Sequence, residues 1–143
     1  MSMVHDNVIQ SYMVDFEADT LTINTSYLTD KINEKTKVIY TGYLAHIFVN
    51  EMKGSMIFDI QECLLDHFIK REFILLKQRQ LSGWPISYET ESELIMFFQT
   101  HEYKIYEISS SYGLCGWVFA KQMDIVVNEQ SVNITSRSKI YLP

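Results

Sequence analysis

Apolar and polar positions along this chain follow two periods, and each period marks a different kind of element. Between Val8 and Glu17 they alternate. Tyr12, Val14 and Phe16 share one face and Met13, Asp15 and Glu17 the other, as in a half-buried strand. Ala18-Asp19 offers a two-residue turn. Leu21 and Ile23, with Thr20, Thr22 and Asn24 opposite, continue as a second strand, so the pair predicts a hairpin with one wet face. Ser26 to Lys37 is polar and of mixed charge and reads as a solvated connecting loop. Val38 to Val49 is the longest apolar run, apolar on both faces, which predicts a central strand covered on both sides. Gly42 in its middle marks a bulge or a close approach to the backbone. Asn50 to Ser55 reads as a turn, and Met56 to Phe58 fits a second, short strand.

From Asp59 onward the period lengthens. Asp59-Ile-Gln-Glu62 has capping-box spacing, and Leu64, Leu65, Phe68, Ile69, Leu75 and Leu76 recur at helical intervals, with a break in the stripe at Glu72 to Ile74 that suggests a kink. Gly83 and Pro85 close this helix. Thr90-Glu-Ser-Glu93 is a second capping box, and Leu94, Ile95, Phe97 and Phe98 give the next helix an apolar face as far as His101. Strands return at Tyr103 to Ile108, Leu114 to Phe119 and Met123 to Val127, the first two joined through Ser109 to Gly113 as a hairpin. After Asn128 the chain turns polar, so residues 1–128 are expected to form the domain and 129–143 a loosely held tail.

These elements predict a single α+β domain: a mostly antiparallel sheet of about five or six strands, with about two or three helices packed on one face. A length of 143 residues, 47% of them hydrophobic, supplies a core that needs no metal or disulfide to hold it. Net charge is −6, with no Lys/Arg cluster, which speaks against nucleic acid and for a neutral or basic protein partner. The polar start and the lack of a long apolar run point away from a signal peptide and a membrane span, and Cys63 and Cys115 read as reduced thiols of a cytoplasmic protein.

No constellation for catalysis stands out. The chain has no G-x-S-x-G and no glycine-rich phosphate loop. Cys115 has no charged neighbour in sequence to activate it and reads as an inert thiol. His46, Cys63 and His67 are the one group to nominate as metal ligands, and His46, Tyr43 and Cys63 the one to line a small-molecule pocket; the expectation is no metal, cofactor or catalytic residue. Tyr43, His46, Trp84, Tyr112 and Trp117 are the candidates for a partner or ligand surface, Tyr112 and Trp117 because they flank the glycines of a serine-rich turn.

The segments Val14-Asp-Phe-Glu17, Leu21-Thr-Ile-Asn-Thr25, Thr41-Gly-Tyr-Leu-Ala-His-Ile-Phe48, Ile57-Phe-Asp-Ile-Gln-Glu62 and Ser110-Ser-Tyr-Gly-Leu-Cys-Gly-Trp117 together resemble small uncharacterised bacterial proteins, some of which sit beside secreted toxins as immunity proteins. The resemblance reaches to about Val127 and implies a cytosolic, acidic, non-catalytic binder, with no functional residue carried over. The expected function is therefore protein binding, of an immunity-type inhibitor. The rivals are a ligand-binding protein or enzyme with a pocket near His46 and Cys63, and a protein that self-associates through exposed aromatics such as Trp84 and Trp117.

Overall fold

A computed structural model of the chain describes residues 4–81, 86–131 and 139–140. Among them are strands β1 (Val8–Asp15), β2 (Thr20–Leu28), β3 (Ile32–Thr41), β4 (Ala45–Val49) and β5 (Met56–Cys63), then helices α1 (Leu65–Leu81) and α2 (Glu91–Thr100). Strands β6 (Lys104–Tyr112), β7 (Cys115–Ala120), β8 (Gln122–Ser131) and β9 (Lys139–Ile140) complete the set. All pairings are antiparallel, in the order β4-β7-β6-β5-β1-β2-β3-β8-β9. The α+β class holds, but nine strands exceed the expected five or six.

The ladder is weak at one place. β1 and β5 share a single residue pair, Val8 with Met56, so the order divides into a four-stranded sheet, β4-β7-β6-β5, and a five-stranded one, β1-β2-β3-β8-β9. One face of each meets the other. Leu21, Ile23, Val38 and Tyr40 of the larger sheet pack with Ile57, Ile60, Tyr106, Ile108, Val118 and Ala120 of the smaller. The smaller sheet's second face carries the helices: Ile47, Ile105 and Phe119 pack with Phe68, Ile69 and Leu76 of α1 and Leu94 and Phe98 of α2. Strand alternation sorts the side chains. On β7, Trp117 and Phe119 go to the helices, and Val118 and Ala120 to the opposing sheet.

Two adjacent crossings bind the sheets together. β3 passes into β4 through residues 42–44, and β7 passes into β8 through Lys121 alone. The Lys121 amide donates to Thr41 O at 3.0 Å, and the Leu44 amide to Phe119 O at 2.8 Å. Gly42 has φ +63°, and a Cβ there would stand 2.7–2.9 Å from the Lys121 side chain. Val38 to Val49 is therefore not one central strand. It is the end of β3 and the whole of β4, an edge strand, with the close approach at Gly42 turning the chain between layers.

Two further expectations are corrected. Ser26 to Lys37 is not a loop: β2 and β3 form a long hairpin across it, pairing Ser26 with Lys35 and Leu28 with Asn33. Buried Thr25 and Thr36 sit opposite each other there, and the Thr25 hydroxyl donates to Thr36 O and accepts from Asn7 Nδ2, which is why so polar a segment folds inward at all. Asp59 does not start a helix either. β5 runs on to Cys63, and Asp59 Oδ1 accepts from the Ile60 amide. Burying Ile57 and Ile60 between the sheets is worth about 1.5–3 kcal/mol each, more than the roughly 1 kcal/mol of a helix cap.

The Thr90 cap stands as read, whereas the stripe's break at Glu72 to Ile74 does not divide α1, and β8 crosses the boundary expected after residue 128. Thr90 caps α2, accepting from the Glu93 amide at 3.1 Å, while Glu93 Oε2 accepts from the Glu89 amide. α1 is continuous through residues 72–74. β8 passes Asn128 and pairs it with Ile140, while residues 132–138 and 141–143 lie outside the described residues, as do Gly83 and Pro85.

Gly116 tests the packing of the β4 edge. A Cβ there would stand 1.9 Å from Ile47 O, a backbone atom that cannot swing aside. G116A is expected to cost about 3 kcal/mol, and G54A, at φ +87° with Tyr112 Cε2 at an ordinary contact distance of 3.9 Å, only about 1 kcal/mol. Urea unfolding midpoints of the two variants check this; equal losses would mean that β4 does not lie against Gly116.

Candidate functional site

A wide cleft opens where the two sheets part. It holds about 770 Å³ and is lined by Val8–Tyr12 of β1, by Glu51–Ser55 of the β4–β5 loop, and by Leu114. Its existence follows from the single β1–β5 pair. Beyond the bond from the Ile9 amide to Ser55 O, the outer edge of β1 has no strand partner among the described residues, and neither does the outer edge of β4.

Ser55 fixes the loop that forms the far wall. It is buried, its hydroxyl donates to Met52 O at 2.6 Å, and it accepts from the Leu114 amide at 2.9 Å. Its carbonyl takes the Ile9 amide. One residue thus ties the loop to the β6–β7 turn and to β1. Gly113 belongs to the same joint, since a Cβ there would meet Ser55 Oγ at 2.2 Å.

A titratable aromatic cluster closes one end of the cleft. The Tyr12 hydroxyl donates to Glu51 Oε1, and the Tyr12 ring meets Phe48 edge-on at 5.1 Å and His46 at 5.8 Å. The Tyr43 hydroxyl and His46 Nδ1 lie 2.7 Å apart, so a ring protonated on Nε2 accepts the tyrosine proton. The Glu51 carboxylate holds the Tyr12 proton, and with burial it pushes that phenol up to about 12. Burial lowers His46 below its usual 6.5; Glu51 opposes that shift and Arg79 adds to it. Burial raises Tyr43.

The sequence candidates part company here. Tyr43 and His46 do meet. His46 and Phe48 face the opposing sheet, whereas Cys63 lies on the helix side, opposite Ile105. Cys63 and His67 share a separate recess of about 200 Å³ with Arg71 and Glu107, and burial, aided by Glu107, raises the Cys63 thiol. The pocket expected to join His46 to Cys63 is thus not formed, because successive strand residues point to opposite layers. Among the described residues no three His, Cys, Asp or Glu side chains gather as metal ligands. Tyr112 is exposed and stands beside Gly54. Trp117 packs on Phe68 at 5.3 Å, under the helices, and its buried indole nitrogen has no partner. It is a core residue, not a presented one. Trp84 lies outside the described residues.

Tyr12, Glu51 and Ser55 carry no sequence signal of a site. Tyr12 and Glu51 stand 39 residues apart, and nothing local to either announces the other. The chain matches no protein-family model, no curated protein and no solved structure.

The lowered His46 sets a sign for pH. Because its folded pKa lies below 6.5, the unfolded chain takes up this proton first as pH falls. Its contribution to stability is complete at neutral pH, declines as pH drops from about 6.5, and levels off below the folded pKa. Urea midpoints of the wild type and H46Q between pH 7.5 and 5 are expected to converge on acidification; parallel curves would mean that His46 titrates as a solvated ring.

Proposed function

We propose that this chain acts by binding another protein, through the face where β1, β4 and the β4–β5 loop come together. One observation carries the reading: among the described residues the outer edge of β1 beyond Ile9 stands unpaired along a cleft whose lining includes the exposed apolar Met52, and the edge strand β4 ends in the exposed Val49 just before the loop that walls the cleft. Such edges are templates for another chain, and soluble proteins usually cover or charge them. The net charge of −6 favours a neutral or basic partner. No helix of the described residues is long and apolar enough to cross a membrane. The resemblance to immunity-type proteins agrees with an inhibitor that works in the cytoplasm by covering its partner and has no chemistry of its own.

Affinity capture from the host, followed by the same capture with surface variants, tests this. M52E is expected to weaken retention of the partner at least about tenfold, as for a residue central to an interface, with an unchanged melting temperature. I74E and M96E, more exposed than Met52 but on the helices, are expected to leave it unchanged. Loss of the partner with the helix variants alone would move the surface to the helices, and failure to retain any partner would remove the reading.

A further inference from the structure

We propose that the outer edge of β1 receives an extended segment of a basic partner protein as an added strand, with the segment's basic side chains lying towards the β1–β2 turn. The proposal rests on the protein-binding reading and specifies its mode. β1 offers a free backbone edge, and the cleft runs along that edge, not along the edge of β4. From Val8 to Tyr12 the strand rises roughly 13 Å, room for about four residues of an added strand. The last native bonds of the seam, the Ile9 amide to Ser55 O and the Ile57 amide to Asn7 O, already have antiparallel ladder form, so the added strand continues a pattern that β5 begins and abandons. Met52 and Leu114 give its inward side chains an apolar floor.

Charge sets the chemistry and the direction. Lys53 lies in the loop beside the start of β1, and Lys35 of β3 reaches across β2 to donate to Gln10 Oε1 of β1 at 3.2 Å. At the other end stand Glu51 and then Asp15, Glu17 and Asp19, the last three exposed around the β1–β2 turn with no ion-pair partner among the described residues. A segment with Lys or Arg at the turn end matches this gradient. A second copy of the chain brings a further −6 to the same face and is repelled over the whole surface.

Selection from a random library of short peptides against the intact chain provides the test. Enriched peptides are expected to carry Lys or Arg near one end and to lack proline in the middle. Bound, they slow hydrogen exchange at the backbone amides of residues 10–15. N-methylating alternate peptide amides is expected to weaken binding about tenfold or more, since each methyl removes a ladder donor. E51K is expected to weaken it as well, and raised salt to do so progressively. Enriched peptides that tolerate N-methylation, or that protect the helices, would overturn strand addition while leaving protein binding standing. So would enrichment of acidic peptides, or no enrichment at all. Protection of residues 10–15 in the free chain, with a dimeric mass, would give the edge to a second copy and likewise overturn the proposal.

Discussion

Burial of the β4-β7-β6-β5 sheet on both faces is the constraint on which the rest of the molecule depends. Each strand of this sheet must feed two cores at once. Ile105 and Tyr106 are consecutive and both buried, one under the helices and one against the opposing sheet. Both helices rest on one face of this sheet, and the five-stranded sheet packs against the other. Phe119, packed against Phe68 and Phe98, and Val118, packed towards Val38 and its neighbours, are the two sides of one joint. Removing large side chains from such a doubly loaded strand costs about 2–5 kcal/mol at each position, because neither neighbouring layer can collapse without disturbing the other.

The same constraint creates the cleft. The two sheets are held tightly at the Gly42 and Lys121 crossings and loosely at Val8 and Met56. A sheet closed tightly on one side and by a single pair on the other leaves an open seam, and the β4–β5 loop is drawn across that seam by Ser55. Tyr12 and Glu51 latch the loop to β1, and His46 sits behind them on the edge strand. The candidate surface is thus a product of how the sheets join, and its aromatic and titratable groups are held by the joint.

Much of the architecture is legible in the sequence. The β1–β2 hairpin, the Thr90 cap of α2 and the β6–β7 hairpin follow from period-two alternation, a side chain that reaches its own helix amide, and a serine- and glycine-rich turn. All three signals act within a few residues. The misreadings share one cause. Asp59 and Glu62 have the spacing of a helix cap, and the spacing lost to strand pairing with β6, a partner some fifty residues away (Asp59 with Ser109). Ser26 to Lys37 is polar enough for a loop, yet Thr25 and Thr36 meet across β2 and β3, where the Thr25 hydroxyl donates to Thr36 O. Val38 to Val49 is apolar on both faces because its two halves serve different sheets.

The sequence by itself determined the α+β class, the antiparallel hairpins, the acidic surface and a chain with plenty of core material, since each depends on composition or on neighbours within a turn or two. It also pointed to Tyr43 and His46, which are close enough along the chain to share a corner. Only the tertiary structure decided that His46 and Cys63 face opposite layers, that Trp117 is core, and that Tyr12 reaches Glu51 beside an open strand edge. Those facts depend on which strand lies next to which and on the register between them, and such non-local pairings leave no periodic trace in any single stretch of sequence.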